Sequence, residues 1–134
     1  MRSVKYYLLI FTVLFFADGF VVKKNHAYDK KMCYENRHGV PPLIDYEILW
    51  FTLSNNIVKG EFNWLPALKD RRIGSFNGHK INDNSLDVVY SFYQEGFNSQ
   101  IKLTIKFDEN QVMIEGERPS LGLNRTLARV NCIS

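Results

Sequence analysis

Ile101, Leu103, Ile105 and Phe107 alternate with Lys102, Thr104, Lys106 and Asp108. A period of two puts one set on each side of an extended chain, whereas the apolar residues of an amphipathic helix recur every 3.6 positions. This stretch therefore reads as a half-buried strand. The same period runs through Leu86, Val88, Tyr90 and Phe92, opposed by Asp87, Val89, Ser91 and Tyr93. It returns in Ile44, Tyr46, Ile48 and Trp50, whose opposite face begins with Asp45 and Glu47, and in Val58, Gly60, Phe62 and Trp64, opposed by Lys59, Glu61 and Asn63. Turn residues stand where the runs stop, at Ser54-Asn55-Asn56, Asn82-Asp83-Asn84-Ser85, Glu95-Gly96 and Asp108-Glu109-Asn110. Asn, Asp and Gly tolerate left-handed backbone and form local side-chain bonds, which suits them to corners. Corners about 12 to 15 residues apart, with no helical pattern long enough for a parallel crossover, predict consecutive hairpins. The expected fold is all-β: an antiparallel meander of seven or eight strands closing into a small lipocalin-like barrel, with a small β-sandwich as the alternative.

Cys33 and Cys132 are the two cysteines, near the two ends of this pattern. A disulfide between them brings first and last strands together, which favours closure over an open sheet. The start of the chain supplies the oxidising compartment that such a bond needs. Arg2 and Lys5 precede an apolar run from Tyr6 to Phe16, too short for a bilayer-spanning helix of about 20 residues. Ala17-Asp18-Gly19 then offers small residues at a signal peptidase site. Residues 1–19 are read as a signal peptide, 20–32 as a polar leader carrying Lys23-Lys24 and Lys30-Lys31, and 33–134 as one β domain. After cleavage no stable membrane insertion is expected. The mature chain loses Arg2, Lys5 and Asp18, so a formal charge of +3 becomes +2. That surplus is too small and too dispersed to act as a nucleic-acid footprint.

Chemistry-bearing motifs are sparse. His26, His38 and His79 share no metal-ligand spacing, and Asn82 to Asp87 lacks the glycine and distal glutamate of a calcium loop. Glu115 and Glu117 lie on one side of a strand without an accompanying cleft signal, and no Gly-x-Ser-x-Gly turn or activated cysteine occurs. No catalytic residue, metal or cofactor is expected. What stands out is aromatic: Tyr46, Trp50, Phe62, Trp64, Tyr90 and Phe92 all fall on predicted inward faces. They either fill the core or line a cavity for a small apolar ligand. Leu49, Phe51 and Leu53 fall on the predicted outer face, as a covered surface or a contact patch. Gly60-Glu61-Phe62-Asn63 is echoed by Gly74-Ser75-Phe76-Asn77, a glycine two residues before an aromatic on successive strands. That spacing predicts sheet bends covered by aromatic rings. Glu95, Gly96 and Ser99 are assigned to a structural turn, with Gly96 left-handed and Glu95 outward.

Cys33-Tyr34-Glu35, Lys69-Asp70 before a glycine-bearing strand, the run from Tyr90 to Ser99, Glu115-Gly116-Glu117 and Val130-Asn131-Cys132 occur in that order. The chain in this respect resembles a family of small exported bacterial envelope proteins, often lipoproteins, particularly from the Bacteroidetes, with no assigned function. The resemblance spans about Cys33 to Cys132; its most specific piece is Tyr-x-Phe-x-x-Glu-Gly-x-x-Ser. It implies export to the periplasm and the cysteine pairing, and it brings no catalytic residues. This chain lacks the lipoprotein cysteine. The expectation is a non-enzymatic exported envelope protein, periplasmic or secreted, that binds a small apolar ligand or a protein partner. The alternatives are an inhibitor of a secreted hydrolase such as lysozyme and a hydrolase without a recognisable motif.

Overall fold

The computed structural model describes residues 30–133, all of them in one β-barrel and its connections. Its strands are β1 (Lys30–Val40), β2 (Leu43–Ser54), β3 (Ile57–Leu65), β4 (Ile73–Asn82), β5 (Ser85–Gln94), β6 (Phe97–Phe107), β7 (Gln111–Gly116) and β8 (Arg125–Val130). Each pairs antiparallel with its neighbours in sequence, and β8 returns to β1 through Cys33↔Val130, Tyr34↔Arg129 and Glu35↔Ala128. The barrel is thus the closed meander that the alternation predicts. A disulfide joins Cys33 to Cys132 beside that seam, with the Cα atoms 5.3 Å apart. The domain begins earlier than expected: Lys30 and Lys31, assigned to the leader, pair with Leu53 and Thr52 in the first strand. The expected signal peptide, its cleavage site and residues 20–29 of the leader lie outside the described residues.

Inward residues follow the predicted parity on most strands. Val58 and Phe62 from β3, Leu86, Val88, Tyr90 and Phe92 from β5, and Ile101, Leu103 and Ile105 from β6 are buried together in one core. β2 is the exception, and it corrects two expected cavity residues. Its buried positions are Glu47, Leu49 and Phe51, so Tyr46 and Trp50 face outward. Leu49 and Phe51 lie opposite Phe62 and Gly60 across the sheet and cannot be a surface patch. The exposed face of Trp50 is held by polar neighbours: its Nε1 donates to Glu61 Oε2 at 3.0 Å, and Lys31 Nζ lies 4.6 Å from the ring centroid. An indole that is half covered by a cation and anchored by a carboxylate is content outside.

The glycine–aromatic echo has the predicted use. Gly60 pairs with Phe76, and a Cβ on Gly60 would come within 2.5 Å of the Phe76 ring. Gly74 is covered in the same way by Tyr90 from β5. At both positions the neighbouring ring fills the space that a side chain would need.

Up-and-down order gathers the β1–β2, β3–β4, β5–β6 and β7–β8 connections at one end, hereafter the mouth, with the disulfide towards the other. Asn55-Asn56, Asp83-Asn84 and Glu95-Gly96 form two-residue hairpin turns. Gly96 is left-handed as expected, at φ 80°, and so is Glu95, at φ 51°. Glu95 is therefore the first corner residue and not an outward strand position. Ser99 belongs to β6, paired with Phe92, and takes no part in the turn. No helix among the described residues is long and apolar enough to cross a membrane. The barrel is apolar within and carries Lys59, Glu61, Asp87, Lys102 and Lys106 outside, the reverse of a membrane-spanning barrel.

Candidate functional site

Along the inner wall, polarity changes with height. Phe51, Leu49, Glu47 and Asp45 follow one another up β2, and Phe76, Gly74 and Arg72 lead up into the start of β4. Above the packed core the inward residues turn polar and surround an open cavity of about 540 Å³. Its wall includes His38, Glu47, Trp64, Arg72, Gln94 and Arg125, with Asp45 and the β7–β8 connection at Leu121 and Gly122 closing the rim.

Arg72 is placed by backbone. Its N–H donates to Trp64 O at 3.0 Å and its carbonyl accepts from Trp64 N at 2.8 Å, one isolated bridge beyond the β3–β4 ladder. Two side chains pin the flanks: Asn63 Oδ1 accepts from Gly74 N at 3.0 Å, and Asp45 Oδ1 from Ala67 N at 2.8 Å. Residues paired across a sheet point to the same side, so Glu47, Trp64 and Arg72 form a row across three strands. The Arg72 guanidinium lies 5.2 Å from the Phe62 ring centroid and 5.8 Å from that of Trp64. Arg72 is only 5 % exposed, and its Nε is buried without a hydrogen-bond partner.

Arg125 meets a different environment. The β7–β8 connection folds back through a short 3-10 turn (Pro119–Leu121), left-handed Gly122, and Asn124, whose Oδ1 accepts from Gly116 N at 2.7 Å. This delivers Arg125 beside Glu47, which is 2 % exposed. Its Nε donates to Oε2 at 2.8 Å and Oε1 at 3.0 Å, and a terminal nitrogen also reaches Oε1. The carboxylate bonds hold the Arg125 proton above the ordinary arginine range. His38 Nε2 stands 3.5 Å from Glu47 Oε1 and 3.4 Å from the Arg125 terminal nitrogen. One mouth arginine thus has a counter-ion in bidentate contact. None of the ion pairs among the described residues involves the other.

Beneath Arg72, the Tyr90 hydroxyl donates to Phe62 O at 2.5 Å. Burial pushes its pKa up to about 12, against the opposing pull of the Arg72 charge and of a hydrogen bond with the Arg72 side chain. The Tyr90 hydroxyl at the floor of the mouth is therefore neutral at ordinary pH. The wall contains no serine, threonine or cysteine, and both Glu47 oxygens are occupied by Arg125.

The structure divides the six expected cavity residues. Phe62, Tyr90 and Phe92 interlock in the core, with ring centroids 5.7 Å apart for Phe62–Tyr90 and 5.0 Å for Tyr90–Phe92. Trp64 lines the mouth, while Tyr46 and Trp50 lie on the outer surface. Glu95 and Gly96 sit at the mouth end as a turn, and the cysteines lie far below. The site residues that the alternation overlooked are Arg72, Glu47, Arg125, His38 and Gln94. For Glu47 a signal was present: the face that opens with Asp45 and Glu47 continues with Leu49, Phe51 and Leu53. For Arg125 no local signal exists, since its partner is 78 positions away. Comparison with known proteins yields no match to a family model, to a curated protein or to a solved structure.

Proposed function

We propose that this chain is an exported, non-enzymatic binding protein of the cell envelope that holds its ligand at the barrel mouth and not deep within the barrel. The observation that carries this reading is Arg72, a buried guanidinium without a counter-ion beside an open cavity. Burying a charge is costly unless it is paired, and a guanidinium cannot escape the cost by losing its proton. Such a residue is a functional-site candidate on physical grounds. Export is supported by the disulfide, which persists in oxidising compartments, and by the N-terminal charge and apolar pattern. An apolar ligand deep among Phe62, Tyr90 and Phe92 would have to displace rings that already pack on one another.

Native mass spectrometry of protein purified from its own host, followed by backbone NMR before and after stripping, tests this. A retained adduct is expected, and its removal shifts Trp64, Arg72 and Gln94. Shifts centred on Val58 and Leu86, lower in the barrel, would place the ligand in the interior and sink the reading.

One observation favours a protein partner as a second reading, in keeping with inhibition of a secreted hydrolase. Val40 at the end of β1, Leu68 in the β3–β4 connection and Phe97 at the start of β6, all at the mouth end, are 78 %, 79 % and 74 % exposed. Apolar residues collected around a polar depression mark contact surfaces. Leu68→Glu with Phe97→Glu would abolish a protein complex while leaving a small-molecule adduct in place.

A further inference from the structure

We infer that the group taken into the mouth is a monovalent carboxylate on an apolar or aromatic body, held by Arg72 with its body against Trp64. This rests on the mouth being the binding site and goes further by assigning the ligand class. Three features of the site choose the chemistry.

The first is the contrast between the arginines. Arg125 spends its fork on Glu47, whereas Arg72 is buried, touches the Tyr90 hydroxyl beneath it, leaves Nε unbonded and makes no ion pair among the described residues. A guanidinium presents parallel N–H donors that match the two oxygens of a carboxylate, so the missing counter-ion has a natural shape. The second is the charge of the surrounding wall. Asp45 and Glu47 stand on the neighbouring strand face, and only one cation is uncompensated. A phosphate dianion would gain the same single partner and meet two resident carboxylates; a single negative charge suits the site better. The third is the lining. Trp64 stands beside the Arg72 guanidinium, and Leu121 closes the rim opposite. An anion with an apolar body covers these surfaces when its head reaches Arg72, and excluding water there strengthens the charge contact.

The carboxylate could belong to a free organic acid or to the C-terminus of a peptide, so both are tested. The probes are phenylacetate and an acetylated tripeptide ending in phenylalanine, each beside its neutral amide. Binding is followed by NMR titration of the Trp64 indole and the Gln94 amide. At least one acid is expected to bind at the mouth about tenfold or more tighter than its amide, since hydrogen bonds to a charged group are worth that much. Whichever acid binds tighter identifies the source. Arg72→Met is expected to erase the acid preference, bringing the affinity of each acid to that of its amide, and Arg72→Lys to retain part of it. Acid and amide binding equally well in the wild type overturns the carboxylate assignment and leaves the mouth reading intact. An undiminished acid preference in Arg72→Met overturns the role of Arg72. Failure of all four probes to shift the mouth overturns the ligand class, while the host-purified adduct still decides whether the mouth binds. The wild-type comparison of acid with amide holds even if an Arg72 variant fails to fold.

Discussion

Tyr90 connects the core to the mouth through a single hydroxyl. It donates to Phe62 O and lies under the Arg72 charge, while burial raises its pKa to about 12. An unfolded tyrosine titrates near 10. Because the folded value is the higher one, the stabilisation is complete below pH 10 and is lost as pH rises from about 10 to about 12. Its size is on the order of 2 to 3 kcal/mol. Urea midpoints measured across that window are expected to fall steeply in the wild type. They should fall less in Tyr90→Phe, with a residual slope from Tyr34, whose pKa burial also raises. The same variant loses about 1 kcal/mol at neutral pH for the missing hydrogen bond. Equal alkaline slopes in the two proteins would remove Tyr90 from this account.

At the scale of the element, β2 and the β5–β6 turn show what strand pattern does and does not convey. β2 is apolar on both faces in its second half, so period alone leaves two orientations open. The packed one buries Leu49 and Phe51 and leaves Trp50 outside between Lys31 and Glu61. Phe51→Ala is therefore expected to cost about 3 to 5 kcal/mol, and Trp50→Ala about 1 kcal/mol. Chemical denaturation of the pair decides it, and the opposite order would mean that β2 faces the other way. In the turn, Glu95 and Gly96 both have positive φ, the pattern for which Asn-Gly is preferred. Space around Gly96 is open, the nearest atom to an added Cβ being the Tyr93 hydroxyl at 4.0 Å, so the cost of a side chain there is conformational. Gly96→Ala is expected to lower stability by about 1 kcal/mol, while Glu95→Asn raises it by a few tenths. In a domain of this size that means about 4 to 8 °C down for the former. Thermal melts that move both variants in the same direction would exclude the corner geometry as the cause.

For the whole molecule, the weak place is the seam. β1 pairs with β2 along its entire length but with β8 through only three residues. The Cys33–Cys132 bond lies next to that short ladder and closes a loop with a sequence separation of 99. A loop of that size contributes about 4 to 5 kcal/mol in the chain-entropy model. Reduction is thus expected to lower the melting midpoint by roughly 15 to 40 °C, read by calorimetry with and without reductant. A fall of less than about 5 °C would show that the backbone seam holds the barrel closed unaided.

Side-chain period and corner residues determine an antiparallel meander, because alternation and turn chemistry are local properties, and the placing of two cysteines favours its closure over the alternative sandwich. They determine the core of β3, β5 and β6 for the same reason. Only the tertiary structure decides the face of β2 and, with it, the site. Closure brings Arg125 to the rim beside Glu47, Trp64 and Arg72, and it gives one arginine a counter-ion and the other none among the described residues. A charge becomes informative only when its surroundings are known: Arg72 in the sequence is one of two adjacent arginines in a loop, and in the barrel it is a buried cation with no counter-ion among the described residues.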